Sequence, residues 1–363
     1  MRIVLAGGGT TGHISPLLAT AEALSDLAPD VELTCVGTPA GLETTLVPQA
    51  GRTLRLIDPV PLPRRLSADL LAVPVRLGRA TAQAGRILTE TRAEVVVGFG
   101  GYAALPVCLA ARRARLPLVI HEANAVPGLA NRIAARFAVR TCVTFDGTGL
   151  PRPVRTGMPV RRAVATLDRA AGREEARRRL GLDEAATVLL VSGGSQGARS
   201  LNAALIDALP GLDALGVSVL HVTGQRNFAE PVALPQLHWT TYRRVAYVDR
   251  MEEAYAAADL MLARAGSGTV NETAIVGLPA IFVPLPHGNG EQAKNAAGLI
   301  AAGAGVLVPD AELTAERLVA AVGKLMAPGQ LAAMSAAARA AVPRDAAMAV
   351  ARYVLEAGGQ PCH

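Results

Sequence analysis

The sequence predicts an α/β protein built from two Rossmann-like, parallel-sheet domains facing each other across a cleft. Three observations carry this expectation. Short apolar runs alternate with helix-like stretches along the whole chain, the pattern of parallel strands joined by crossover helices. Two of these runs open into glycine-rich loops that lead into helices: Arg2-Ile-Val-Leu-Ala-Gly-Gly-Gly-Thr-Thr-Gly-His13 and Val188-Leu-Leu-Val-Ser-Gly-Gly-Ser-Gln-Gly-Ala-Arg199. A chain of 363 residues, 51% of them hydrophobic, is long enough to bury two cores.

In the first half the apolar runs place strands at Arg2–Ala6, Val31–Val36, Val95–Val97, Leu118–His121 and Arg140–Val143, with helices over Ser15–Leu27 and Leu105–Arg115. The stretch Arg152-Pro-Val-Arg-Thr-Gly-Met-Pro-Val-Arg-Arg162 interrupts the alternation with prolines and a glycine, and the charged, helix-prone Glu174–Leu180 follows. The domain junction is expected there, giving domains of 1–160 and 161–343. Strands resume at Val188–Val191, Val217–Val222, Val245–Val248, Leu260–Ala263, Ala280–Val283 and Gly305–Val308. The alanine-rich tail, helical from Leu331 to Leu355 and broken near Pro343, either closes the second domain or packs back on the first.

Composition narrows the function. The net charge is +6, but only 3% of residues are aromatic and Trp239 is the sole tryptophan. Nucleic-acid binding usually pairs basic patches with stacking aromatics, so no nucleic-acid partner is expected, and an anionic membrane surface or a polyphosphate accounts for the charge better. The four cysteines are scattered without a CxxC or Cys/His cluster, which fits a reducing compartment and no structural zinc. The chain enters a strand directly, with no basic leader or cleavage pattern, and arginines interrupt its longest apolar runs. DxD, HExxH and Walker Gly-Lys-Ser/Thr motifs do not occur, so no metal or cofactor is expected.

The candidate chemistry gathers where strands end, because ligands of open parallel sheets bind beyond the carboxyl ends of the strands. Glycines let backbone N–H groups approach a ligand, and a helix start favours phosphate. His13 closes the first such loop, as a base or hydrogen-bond partner near a pyrophosphate, or as a helix cap. Gly98-Phe-Gly-Gly-Tyr102 and His121-Glu-Ala-Asn124 follow the next strands; Glu122 is a site carboxylate or a buried structural one, and Asn124 suits a hydroxyl. In the second half Ser195 and Gln196 occupy the phosphate-type loop. Ser267, Gly268, Thr269 and Val270 begin another helix, and Glu272 within it either meets ribose hydroxyls or complements the helix dipole. His287-Gly-Asn-Gly-Glu-Gln-Ala-Lys-Asn295 is dense in hydrogen-bonding groups, as a hexose site or a solvated loop would be.

In order and spacing, Gly8-Gly-Thr-Thr-Gly-His13, Gly98-Phe-Gly-Gly-Tyr102, His121-Glu-Ala-Asn124, Gly157-Met-Pro-Val-Arg161, Gly193-Gly-Ser-Gln-Gly-Ala198, the loop ending in Glu272, and Gln292–Asn295 resemble the MurG family over nearly the whole chain. The resemblance implies a GT-B type, inverting, metal-independent glycosyltransferase of peptidoglycan synthesis. It would move N-acetylglucosamine from UDP-N-acetylglucosamine to undecaprenyl-pyrophosphoryl-N-acetylmuramoyl-pentapeptide, the step from lipid I to lipid II. The first domain would take the lipid-linked acceptor and the second the nucleotide sugar. It further implies donor contacts from Thr10, Thr11, Gly12 and Asn124, and nucleotide contacts from Arg161, Ser195 and the backbone of Val248. Ser267–Val270 would hold the diphosphate, Glu272 the ribose and Gln292 the transferred sugar, with His13 as base. Thr11, Ala123, Met158 and Glu291 depart from the family's usual glycine, glutamine, asparagine, and glutamine or histidine.

A peripheral place on the cytoplasmic face of the bacterial cell membrane also follows from the resemblance, with cell-wall synthesis proteins as possible partners. One segment has the matching composition: Pro59-Val-Pro-Leu-Pro-Arg-Arg-Leu-Ser67 and Leu70–Arg79 mix apolar side chains with Arg64, Arg65, Arg76 and Arg79. An ordinary core helix with solvated arginines is the alternative.

Overall fold

The computed structural model describes residues 1–60, 69–194, 197–286 and 290–360, without the side chains of residues 69–71. It divides into two compact units, Met1–Arg161 with Asp345–His363, and Arg162–Arg344.

The first unit runs β1 (Arg2–Ala6), α1 (Thr11–Leu27), β2 (Glu32–Gly37), α2 (Glu43–Gln49), β3 (Thr53–Leu56), α3 (Asp69–Glu90), β4 (Val95–Gly98), α4 (Ala104–Arg113), β5 (Leu118–Glu122), α5 (Leu129–Ala134), β6 (Arg140–Val143) and β7 (Pro153–Arg155). The strands form one parallel sheet in the order β3-β2-β1-β4-β5-β6-β7. Both faces are covered, which is why the central strands β1, β4 and β5 carry continuous apolar runs rather than alternating. Ile3 and Leu5 of β1, with Val95 and Val97 of β4, pack against Ile14, Leu17, Ala21 and Leu24 of α1. Val4 and Ala6, with Val96 and Ile120, face Ala84 and Ile87 of α3 and Val107 and Ala111 of α4. Each fully buried Val, Leu or Ile contributes roughly 1.5–3 kcal/mol by leaving water.

The second unit runs α6 (Arg162–Ala165), α7 (Arg169–Leu180), β8 (Thr187–Ser192), α8 (Arg199–Ala214), β9 (Val217–Val222), α9 (Gln225–Phe228), β10 (Tyr242–Val245), α10 (Met251–Ala257), β11 (Leu260–Ala263), α11 (Ser267–Val276), β12 (Ala280–Phe282), α12 (Glu291–Ala301), β13 (Gly305–Leu307), α13 (Ala315–Leu325) and α14 (Gln330–Ala341). Its parallel sheet has the order β10-β9-β8-β11-β12-β13. One face packs Leu189, Val191, Leu260 and Leu262 against Leu201, Leu205 and Leu209 of α8 and Leu318 and Val322 of α13. The boundaries of α7 follow from its caps: Asp168 accepts the amides of Ala170 and Ala171, and Gly181 ends the helix in the left-handed conformation.

The chain then returns. Helix α15 (Ala346–Ala357) belongs to the first unit, where Val350, Ala351, Val354 and Leu355 join the core of α1 and β1. Of the two places open to the tail, it takes the first unit.

Three strands differ from the sequence expectation. β3 and β7 are edge strands with mostly exposed side chains, so they carry little apolar signal, and Pro153 begins a strand where its missing N–H costs nothing. The strand expected over Val245–Val248 lies instead at Tyr242–Val245, paired so that Tyr242 opposes Val219 and Val245 opposes Val222. Its early start is set by the buried Asp213, which accepts from the amides of His238 and Trp239 and from the Thr240 hydroxyl. Val248 therefore sits in the loop beyond the strand.

Candidate active site

Each sheet reverses its strand order once, between β1 and β4 in the first unit and between β8 and β11 in the second. Connections on either side of such a reversal diverge, leaving a crevice at the strands' carboxyl ends. The glycine-rich loops after β1, β4, β8 and β11 emerge at these two points.

In the first unit the loop after β1 and the loop after β4 lie against each other. A Cβ at Gly101 would stand 2.2 Å from the Gly8 carbonyl oxygen, and one at Gly100 would stand 3.0 Å from Cδ2 of His13. Gly9, Gly100 and Gly101 also have positive φ. The glycines of Gly98-Phe-Gly-Gly-Tyr102 thus permit loop-on-loop contact. Thr11 needs no glycine, because it is the first residue of α1 and the left-handed conformation falls on Gly9. Thr10 is exposed, while Thr11, Gly12 and His13 are half-buried on the first turn of the helix. Nδ1 of His13 lies 3.2 Å from the Gly8 carbonyl oxygen and 3.3 Å from the Thr10 hydroxyl. Burial lowers the His13 pKa below its ordinary value, although the Gly8 carbonyl and the charge of Glu43 pull it back upward.

At the end of β5, Glu122 is a structural carboxylate. It is buried and accepts from the amides of Asn124 and Gly128 and from Nδ2 of Asn131, which fixes the bend into α5. Burial raises its pKa against these donors. Asn124, whose amide and side chain both engage Glu122, is held at this strand end. His121 is fully buried beside the Phe99 ring and donates from Nε2 to the Gly157 carbonyl, 3.2 Å away. That bond ties β5 to the Gly157–Arg161 stretch, in which Met158 is buried and Arg161 exposed. Ala123 is buried as well.

In the second unit the loop after β8 turns on glycines: Gly194 and Gly197 have positive φ, and a Cβ at Gly197 would lie 2.2 Å from the Thr223 carbonyl oxygen. Ser195 and Gln196 lie outside the described residues, as do 287–289 of the polar cluster. After β11, Gly266 precedes α11, and Val270 donates its amide to the Gly266 carbonyl at 3.0 Å. That bond commits the Val270 amide to the helix, so the first-turn amides without an intrahelical acceptor belong to Ser267, Gly268 and Thr269. Glu272, one turn on, accepts a 2.6 Å hydrogen bond from the hydroxyl of the buried Tyr255. Gln292 on α12 accepts the Leu285 amide through Oε1 at 2.9 Å, and Asn295 donates to the Ala265 carbonyl. Val248 is buried beyond β10.

Two residues that carry no sequence motif organise these loops. Arg264 donates to the carbonyls of Val283 and Pro284, to Asp310 and to the Ser200 hydroxyl, bracing the loop between β11 and α11. Glu43, at the start of α2, accepts the Gly9 amide from below the first loop. The one local sign of it is the pair of glycines at 37 and 41, which make room for its side chain. Among the described residues, no group of three or more His, Cys, Asp or Glu side chains is placed to hold a metal ion.

Residues 3–143 match the glycosyltransferase family 28 N-terminal domain, and residues 188–350 the glycosyltransferase family 28 C-terminal domain. The chain is 55% identical to a UDP-N-acetylglucosamine–N-acetylmuramyl-(pentapeptide) pyrophosphoryl-undecaprenol N-acetylglucosamine transferase of Nocardioides sp., over 99% of this chain and 98% of that protein. A transferase of the same description from Cutibacterium acnes is 51% identical over 98% of this chain and 97% of its own length. Among solved structures, MurG of Acinetobacter baumannii superposes with a TM-score of 0.77 at 29% identity, covering 98% of this chain and 99% of its own. The kitacinnamycin glycotransferase, at 17% identity and a TM-score of 0.70 over 98% of both chains, shares the fold, which is of the GT-B type. The full-length likeness, together with the paired glycine loops at both switch points, establishes that this chain belongs to glycosyltransferase family 28 and, within it, to the MurG family.

Proposed function

We propose that the protein transfers N-acetylglucosamine from UDP-N-acetylglucosamine to undecaprenyl-pyrophosphoryl-N-acetylmuramoyl-pentapeptide, the conversion of lipid I to lipid II in peptidoglycan synthesis. The observation that carries this reading is the likeness to transferases of that description, at 51–55% identity over at least 98% of the chain.

The mechanism is an inverting displacement. The acceptor sugar's hydroxyl oxygen attacks the anomeric carbon, the bond from that carbon to the diphosphate oxygen breaks, and UDP departs with the electron pair. Nε2 of His13 takes the hydroxyl proton, since Nδ1 faces the Gly8 carbonyl. The charge growing on the diphosphate meets the first-turn amides of Ser267, Gly268 and Thr269, where the α11 dipole is positive. Glu272 meets the ribose, Val248 the uracil through its backbone, and the amide nitrogen of Gln292 the transferred sugar. Arg161, Ser195 and Gln196 flank the nucleotide, and Thr10, Thr11, Gly12 and Asn124 meet the donor sugar. In this assignment the first unit takes the acceptor and the second the donor, and neither metal nor cofactor takes part.

The protein works as a peripheral enzyme on the cytoplasmic face of the membrane. No single helix among the described residues is long and apolar enough to cross a bilayer. Residues 61–67 of the segment expected to touch the membrane lie outside the described residues, while its Leu70–Arg79 part lies on α3, where Val75, Arg76 and Arg79 are exposed.

The deciding assay measures UDP release from UDP-N-acetylglucosamine with and without lipid-linked muramoyl-pentapeptide, in EDTA. Release that needs the acceptor and survives the chelator is expected. No acceptor dependence would overturn the transfer, and rescue by added divalent cation would overturn the metal-free route.

A further inference from the structure

The peptide group between Gly8 and Gly9 is held from both ends. Its N–H, on Gly9, donates to Oε2 of Glu43 at 2.9 Å, and its C=O, on Gly8, accepts from Nδ1 of His13 at 3.2 Å. A trans peptide is rigid and carries these two groups on opposite edges of one plane, so fixing one edge aims the other. We propose that Glu43 is a positioning residue for the transfer reaction, setting the orientation of His13 through the Gly8–Gly9 peptide. This rests on the reading of His13 as the base.

The side chain is built in to do this. Glu43 is 0% exposed, and a buried carboxylate is tolerated only when its oxygens are satisfied. Oε1 accepts both the amide and the hydroxyl of Thr38 at 2.8 Å, leaving Oε2 for Gly9. Three glycines clear its path: a Cβ at Gly8, Gly37 or Gly41 would lie 2.3, 2.4 or 1.9 Å from the Glu43 side chain. Burial pushes the carboxyl pKa up, but the donors around it outweigh that and hold it below the ordinary range, so Glu43 stays ionised. An ionised acceptor polarises the peptide it binds, which makes the Gly8 oxygen a stronger acceptor for the imidazole N–H. The histidine is thereby kept in the tautomer whose Nε2 lone pair is free to take a proton. Glutamate is required here because a carboxamide of the same shape would present N–H₂ either to the Gly9 amide or to the Thr38 donors.

The test compares Glu43→Gln with the wild type. Loss of a group that orients a catalytic side chain typically costs about 10- to 100-fold, and kcat is expected to fall by that much with the donor KM within about twofold. In a His13→Ala background the same substitution should cost less than about twofold, because the group it orients is gone. Turnover of Glu43→Gln within twofold of wild type, or an undiminished loss in the His13→Ala background, would overturn the proposal. The ring-nitrogen NMR shifts of His13 in the wild-type protein need no variant: protonation at Nδ1 is expected, and protonation at Nε2 overturns the linkage. Should His13→Ala keep its turnover, the assignment of the base fails, while the tautomer and the exchange rate of the Gly9 amide still judge Glu43 separately.

Discussion

Nδ1 of His13 lies 3.2 Å from the carbonyl oxygen of Gly8, and this contact gives the two ring nitrogens different roles. A carbonyl accepts only from an N–H, so in the neutral ring the proton is on Nδ1 and the lone pair on Nε2.

A base acts only when deprotonated, and burial shifts the His13 pKa below the ordinary histidine value. The acid limb of the kcat/KM profile is therefore expected below about pH 6.5, with activity falling as pH drops through it. His13→Ala should lower turnover far more than it alters the donor KM and should remove this limb. A profile unchanged in the variant would rule out His13 as the base.

Glu272 reaches its position with one oxygen held by the Tyr255 hydroxyl. If the carboxylate binds the ribose, Glu272→Ala should raise the donor KM about tenfold, the scale of one charge-assisted hydrogen bond, and weaken uridine selectivity. Tyr255→Phe should give a smaller rise in the same parameter. Unchanged donor kinetics in Glu272→Ala would remove the ribose role.

Gly101 combines a φ of +82° with backbone contact, its Cβ position being 2.2 Å from the Gly8 oxygen. Gly101→Ala forces the two glycine loops apart and should destabilise the protein by at least about 2 kcal/mol, with loss of activity. Gly51 is the control. Its φ is +68° with nothing near its Cβ position, so Gly51→Ala should cost about 1 kcal/mol and leave activity intact. Urea unfolding of the two variants makes the comparison, and equal costs would refute the loop-contact account.

His121 and His221 are buried, and burial pushes both to about 4. Their unfolded value is about 6.5, so the unfolded chain binds more protons between these limits. Their contribution is complete above pH 6.5 and is lost as pH falls toward 4, by about 2 kcal/mol each at pH 5. Urea midpoints at pH 7 and pH 5 read this directly. Replacing either histidine with a neutral side chain should flatten the dependence, and an unaltered slope would show that these rings do not govern it.

Much of the architecture is legible in the chain order. Buried strands such as β1 and β11 begin and end where the sequence places them, because strands covered on both faces carry near-continuous apolar runs. The edge strands β3 and β7 and the position of β10 were not legible, since edge pairing and the anchoring of 238–240 by Asp213 are long-range effects. The candidate site divides in the same way. Glycine loops followed by helices mark themselves in sequence, as do His13, Glu272 and Gln292, because a loop and the helix it feeds are contiguous.

What the sequence by itself determined is the set of local pieces: two parallel-sheet units, the glycine loops at strand ends, the family, and the residues that the motifs carry. Only the tertiary structure decided what those pieces touch. It put the Gly98–Tyr102 loop against the first loop, made Glu122 an anchor, committed the Val270 amide to its helix, sent α15 back to the first unit and set Glu43 beneath Gly9. The physical reason is range. Backbone conformation and burial pattern are written in neighbouring residues, whereas a hydrogen bond across 34 positions, such as that from Gly9 to Glu43, exists only once separate strands lie side by side.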